Sequence, residues 1–198
     1  MEARILRKCG PVMIQLVFLL EERSARAMIE GLLPTVIPYN KRESIEFKFI
    51  VFEGKQDLDK HLKRKLDNYQ VPYARFIVLR DQDSSDCRQL KDKLLSECSR
   101  SKATKYIVRI ACRELESWYF GDLEAVKSAF PEFKPTRRLG TIKNPDMIDK
   151  PSKVLMEATK GLYQKISGSR AIGPYLNPAS NNSPSFKAFL NGINKALD

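Results

Sequence analysis

Three apolar runs of strand length in this chain end in the same way, in carboxylates. Met13–Leu20 runs into Glu21-Glu22, and Arg75-Phe-Ile-Val-Leu-Arg80 runs into Asp81-Gln82-Asp83. Tyr106–Ile110 leads, after a short turn, into Glu114-Leu115-Glu116. Short, continuous apolar runs suit parallel strands buried on both faces. The carboxyl ends of such strands open onto the ligand crevice of an α/β sheet. Carboxylates gathered there repel one another unless a cation or a proton lies among them. The pattern predicts a parallel sheet with a hard-metal site along one edge.

Helical periodicity fills the gaps between the runs. Ser24 is placed to cap a helix whose stripe is Ala25, Met28, Ile29, Leu32 and Leu33, stopping before Pro34. Ile45–Phe52 reads as a second strand, ended by Glu53-Gly54-Lys55. Asp57 is expected to cap the next helix, with Leu58, Leu62 and Leu66 on one face and Lys60, Lys63, Arg64 and Lys65 on the other. After the strand Phe76–Leu79, Asp86 opens a third helix with Leu90, Leu94, Leu95 and Cys98 inside, and Lys105–Ile110 is the fourth strand. Strands separated by helices imply right-handed crossovers, a β-α-β-α-β-α-β α/β core. Beyond Gly121, prolines punctuate short helices at Leu123–Phe130, Pro151–Leu162 and Ser185–Leu197, the last with Ser183 as N-cap and Pro184 in its first turn. Ser167-Gly168-Ser169-Arg170 and Ser180–Ser185 read as polar loops. The expected organisation is an α/β core over residues 1–120 and an α-helical extension, 121–198, packed on it.

With 198 residues, 42% of them apolar, the chain can bury one proper core. Its 35 Lys+Arg against 24 Asp+Glu give +11, a balance that favours a polyanionic partner, nucleic acid first. Cys9, Cys87, Cys98 and Cys112 form no C-x-x-C pair and read as free thiols, not a zinc site. The single histidine, His61, sits in a basic helical pattern and offers no Ser-His or Cys-His pair. Arg4, Arg7 and Lys8 before Val12–Leu20 imitate a signal peptide, with Ala25-Arg26-Ala27 as its cleavage site. Gln15 interrupts the run and Glu21-Glu22-Arg23 ends it, well short of the ~18 apolar residues of a membrane span. A buried first strand in a cytoplasmic protein, with no membrane partner, is the reading that follows.

Mg²⁺ takes oxygen ligands, usually one or two carboxylates together with waters and substrate phosphates. Two such ions, Mg²⁺ or Mn²⁺, would stabilise the attacking and leaving oxygens of a phosphodiester displacement. Glu21, Asp81, Asp83, Glu114 and Glu116 have the chemistry for this, as ligands and as the catalytic set. Each taken alone is equally an N-cap or a solvated loop acid; the convergence of three strand ends favours the site. Lys55 would approach a phosphate or finish a turn. Lys60, Lys63, Arg64 and Lys65 would track a phosphate backbone or form a solvated face. Arg80 and Arg113 would pair with an acid or meet substrate. Trp118-Tyr119-Phe120 would pack in the core or stack on bases.

A strand ending in Glu, with Ser or Thr three residues later opening a helix, then a strand ending in Asp-x-Asp, resembles the Toprim pattern. Leu20-Glu21-Glu22-Arg23-Ser24 looks like its first motif and Asp81-Gln82-Asp83 like its second. Glu114-Leu115-Glu116 is similar to the later acidic motif of the overcoming-lysogenization-defect (OLD) nucleases. Gly54-Lys55-Gln56-Asp57, Asp86-Cys87, Cys112-Arg113, Trp118 and Asn144-Pro145-Asp146 extend the resemblance to a family of small bacterial Toprim-like proteins, nearly over the whole chain. The chain departs from the usual Toprim motif in having Glu22 where glycine follows the glutamate, and Ala25 where an acid often stands. The first strand therefore supplies Glu21, whose offset to Ser24 matches, or Glu22, or both.

The resemblance implies a metal-dependent phosphodiesterase acting on DNA or RNA, an ABC/AAA-type ATPase encoded beside it, and a role as effector in anti-phage defence. It leaves room for a homo-oligomer. A tyrosine nucleophile domain for topoisomerase action and the accessory domains of a primase are not present in 198 residues, whereas hydrolysis needs only metals, water and a basic residue. The competing reading is a non-catalytic Toprim-like module that binds nucleic acid or an ATPase. A response-regulator receiver fits poorly, because Asp81-Gln82-Asp83 with Glu114-x-Glu116 is not a lone phospho-acceptor.

Overall fold

From Leu16 to Leu20 every residue of the first strand, β1 (Ile14–Leu20), is wholly buried, as a central parallel strand requires. The computed structural model describes residues 13–198; Arg4, Arg7, Lys8, Cys9 and Val12 of the signal-like leader lie outside them. β2 (Ile45–Val51) flanks β1 on one side and β3 (Ala74–Asp81) on the other. β4 (Tyr106–Ala111) follows β3, giving a parallel sheet of order β2-β1-β3-β4. The register sets Leu20 opposite Val51 and Leu79, and Asp81 opposite Ala111, so all four carboxyl ends share one edge.

Side chains alternate along each strand and build two cores. Leu16, Phe18 and Leu20 join Ile77 and Leu79 on one face; Val17 and Leu19 join Phe76 and Val78 on the other. Fully burying each of these residues stabilises the fold by roughly 1.5–3 kcal/mol. The connecting helices are α1 (Arg23–Val36), the short α2 (Tyr39–Arg42), α3 (Lys55–Asn68) and α4 (Cys87–Ser99). α1 covers the first face, while Leu58, Leu62 and Leu66 of α3 with Leu90, Leu94 and Cys98 of α4 cover the second. The chain moves outward from β1 to β2 and then back past β1 to β3. A reversal of direction with one crossover hand puts the helices on opposite faces, which is what is observed.

The remaining helices are α5 (Ser117–Phe120), α6 (Leu123–Ala129), α7 (Arg137–Gly140), α8 (Pro151–Ala158), α9 (Lys165–Ile172) and α10 (Pro184–Leu197). They share the first core with the sheet. Trp118 lies 5.3 Å from the ring of Phe186 and 5.0 Å from that of Phe189, and its Nε1–H donates to Ser185 Oγ at 2.7 Å. The consecutive aromatics Trp118, Tyr119 and Phe120 are all core residues. No described helix is long and apolar enough to cross a membrane.

Four local expectations are corrected. α1 does not stop before Pro34 but runs through it to Val36. The hydrogen bond that proline cannot make would have gone to the carbonyl of Glu30, an exposed residue. Arg42 then donates to the terminal carbonyls of Pro34 and Ile37. The N-cap of α1 is Glu22, not Ser24, whose hydroxyl turns back to Glu22 Oε2 at 3.2 Å. α3 begins at Lys55 after Gly54 at φ 96°, a conformation glycine adopts without penalty. Asp57 is thus inside the first turn, where its carboxylate accepts the N–H of Glu53 at 3.0 Å. Ser167–Arg170 is helix, not loop, because packing overrides the weak helix propensity of Ser and Gly. A Cβ at Gly168 would come within 2.3 Å of the Tyr163 ring, so glycine is what lets α9 approach it.

Candidate metal centre

The strand order reverses direction between β1 and β3, and in α/β sheets ligands bind at the carboxyl ends beside such a switch point. Glu21 leaves β1 there and Asp81 ends β3 there. Glu21 Oε2 accepts the backbone N–H of Asp81 at 3.1 Å, while the backbone of Glu21 bonds Leu79 and Gly54. Asp83 stands two residues on at φ 53°, its N–H donating to the Arg113 carbonyl at 2.8 Å. Arg113, itself at φ 62°, donates its N–H to Gln82 Oε1 at 3.1 Å. Two left-handed residues facing each other thus tie the loop after β3 to the loop after β4, which carries Glu114 and Glu116.

The electrostatics of this edge are those of crowded acids. Burial pushes the Asp81 carboxyl well above the ordinary aspartate range, and Glu116, Glu21 and Glu22 add repulsion. Glu21 is raised by burial, which outweighs the Asp81 N–H and the Arg80 charge that favour its ionised form. Glu116 is raised by burial despite accepting the Tyr163 hydroxyl at 2.7 Å and feeling Lys165.

Glu21, Glu22, Asp83, Glu114 and Glu116 have present partners. Lys55 Nζ pairs with Asp83 at 3.0 Å. Glu114 accepts the N–H of Ser152 at 2.8 Å, which ties α8 to the edge. Asp83 and Glu114 line a cavity of about 260 Å³ with Lys55, Arg113 and Lys150. Glu22 pairs with Lys165 at 3.2 Å. Arg80 is buried, donating to Asp59 at 2.9 Å and standing 3.7 Å from Glu21, so it meets acids inside the protein. Of the four basic residues that follow Lys55 on α3, Lys60, Arg64 and Lys65 are exposed, and Lys63 pairs with Asp67 at 2.5 Å.

Sequence reasoning missed Lys165 and Tyr163. Lys165 is the first residue of α9, and its charge is felt by Glu22, Glu116 and Asp81 together. Burial opposes its ammonium, but those three acids outweigh it and raise its pKa. A lysine opening a Ser/Gly-rich segment carries no local signal of this kind; only the packing of α9 on α1 and on Tyr163 brings it to the edge. Asp146 of the Asn144-Pro145-Asp146 motif has a different role: buried, it accepts Ser183 Oγ at 2.6 Å and Ser185 N–H at 2.8 Å, holding the start of α10.

The donor set consists of hard oxygens that repel one another at one sheet edge, which in kind suits a hard divalent ion. Among the described residues no three acids stand close enough to grip an ion as they are. The ammonium groups of Lys55 and Lys165 are paired with acids of that set.

Sheet order and the helical segment packed on the sheet give a fold like that of the C-terminal region of OLD proteins. The C-terminal region of the Burkholderia pseudomallei OLD protein matches with a TM-score of 0.58 at 14% identity, covering 92% of this chain and 98% of that one. The C-terminal region of the Xanthomonas campestris pv. campestris OLD protein matches at 0.52 and 16%, covering 92% and 95%. At these identities the likeness is one of fold. Residues 20–194 match the family described as a domain of unknown function, DUF4276, and the chain belongs to that family. No curated protein matches the sequence.

Proposed function

We propose that this protein is a divalent-metal-dependent phosphodiesterase acting on nucleic acid. The observation that carries the reading is the convergence of Glu21 and Asp81 at the switch point of the sheet, where the Asp81 N–H donates to Glu21 Oε2 at 3.1 Å and Glu116, Glu21 and Glu22 oppose the charge of Asp81. A cluster of mutually repelling, desolvated acids marks a site built for a charge that arrives later. Asp81, Asp83 and Glu21 would hold one Mg²⁺ or Mn²⁺, and Glu116 with Glu22 or Glu114 would face a second. The bound ions would supply Lewis acidity toward the phosphate and a lowered pKa for a bound water.

The chain's own residues do the rest. Lys165 sets an ammonium beside Glu22 and near Glu116 and Asp81, where it can neutralise charge developing on a leaving oxygen. Lys55 can exchange its partner Asp83 for a substrate phosphate. Arg80, fixed between Asp59 and Glu21, orients Glu21. The exposed face Lys60, Arg64 and Lys65 extends from Lys55 along α3 and offers a path for a phosphate backbone, with Lys63 beside it. An ABC/AAA-type ATPase partner and a role in phage defence belong to the same reading, on the resemblance of the sequence motifs.

A second reading, a binding module whose acids are structural, is favoured by the partners that Glu21, Glu22, Asp83, Glu114 and Glu116 already have. Incubating DNA and RNA with the protein in Mg²⁺ or Mn²⁺, alone and with the neighbouring ATPase, separates the two. Metal-dependent cleavage that Asp81→Asn abolishes supports the enzyme; no cleavage under any of these conditions leaves the binding module.

A further inference from the structure

At the amino ends of the strands, opposite the acids, Val71-Pro72-Tyr73-Ala74 turns the chain into β3. Ala74 N–H donates to the Val71 carbonyl at 3.3 Å, and Tyr73 holds φ 61°. The third position of such a turn favours glycine or asparagine, and a bulky side chain there is strained. Tyr73 is nonetheless 66% exposed, with no aromatic partner among the described residues. Strain kept for an exposed aromatic ring calls for a use of that ring.

The ring borders a cavity of about 500 Å³ whose lining includes Tyr69, Arg75, Phe76, Lys102 and Lys105, and no carboxylate among the described residues. Its wall is firm. Tyr69 packs edge-on against Phe76 at 5.4 Å and donates its hydroxyl to Gln15, and Arg75 Nη1 donates to the Ala196 carbonyl at 2.6 Å. Asp67, the acid beside Lys102, is committed, accepting Lys63 Nζ at 2.5 Å and the Lys102 N–H at 2.8 Å. An apolar floor, a displayed aromatic and three cations suit a flat ring that carries a phosphate. Phosphate alone would need no aromatic, and an uncharged ring would need no cations.

We propose that this cavity binds a nucleotide unit, its base stacked on Tyr73 and its phosphate held by Lys102, Lys105 and Arg75. A strand of seven residues spans ~23 Å, so the site is separate from the acidic edge and independent of catalysis there. A free mononucleotide and a nucleotide within a strand present the same ring and phosphate.

Calorimetry on the full chain in metal-free buffer, with AMP, inorganic phosphate and a short single-stranded oligonucleotide, tests this. AMP or the oligonucleotide should bind more tightly than phosphate; AMP binding indicates a free nucleotide, and oligonucleotide binding alone indicates a strand. Tyr73→Gly should weaken that binding roughly tenfold while melting at the same or a higher temperature, because glycine relieves the strained φ. Lys102→Gln with Lys105→Gln should weaken it too and flatten its salt dependence. The proposal fails if neither ligand binds, if phosphate binds as tightly as AMP, or if both variants bind like the wild type.

Discussion

Glu21 accepts the backbone N–H of Asp81 at 3.1 Å, so the first acid of the edge is hydrogen-bonded to the backbone of the second. This contact couples the carboxyl ends of the two central strands through a group that metal binding would also recruit. Asp81 itself gains little from the fold, since burial and its glutamate neighbours oppose its charge. Replacing it with the neutral isostere, Asp81→Asn, should therefore abolish metal-dependent cleavage and leave the metal-free melting temperature unchanged or raised. For a chain of this size each ~1 kcal/mol of relief is worth about 2–4 °C. A clear fall in melting temperature in EDTA would mark Asp81 as a structural acid.

The same shifts fix a pH dependence. Glu21, Asp81 and Glu116 all have native pKa values raised above those of the unfolded chain. Between the unfolded and native pKa values the native state holds more protons, so metal-free stability falls as pH rises through that window. The melting-temperature advantage of Asp81→Asn over wild type should grow as pH rises from the ordinary aspartate pKa, about 4, toward neutrality. The half-buried acids Asp57 and Asp67, lowered by their hydrogen bonds, act oppositely but equally in both proteins. An advantage that is constant with pH would contradict the raised pKa of Asp81.

Lys55 and Lys165 compete with metal for the acids yet should differ in catalysis. Lys55→Gln frees Asp83 and should tighten Mn²⁺ binding severalfold by calorimetry. Lys165→Met removes the ammonium beside Glu22 and should not weaken Mn²⁺ binding, while lowering kcat about a hundredfold or more with KM little changed. An unchanged kcat at saturation would restrict Lys165 to an ion pair; half-exposed, such a pair is worth at most ~1 kcal/mol.

Neutralising Lys60, Arg64 and Lys65 together should weaken nucleic-acid binding for all sequences and lower the log–log salt slope by roughly 0.7–0.9 per lost contact. Turnover at saturation should be kept. A slope equal to that of wild type would mean that the backbone does not follow α3.

Asp146 provides the contrast to Asp81. Buried and accepting two hydrogen bonds from the start of α10, it should cost about 3 kcal/mol on replacement by alanine. That corresponds to a melting temperature roughly 6–12 °C lower. A loss under a few degrees would show that α10 is held without it.

The sequence alone determined the four strands, their parallel order of burial and the delivery of acids to their carboxyl ends, because continuous apolar runs and period-3.6 stripes are local signals. Ser183 and Pro184 at the start of α10 and Asp86 at the start of α4 were legible for the same reason, capping being a matter of neighbouring residues. The partners of those acids were not legible. Lys165 meets Glu22 across 143 residues, Tyr163 meets Glu116 across 47, and Gly168 is confined to glycine because the Tyr163 ring fills the space a Cβ would need. Such contacts have no period and no motif. They exist because α9, α1 and the sheet bury apolar surface together, and that packing alone decides which cation faces which carboxylate.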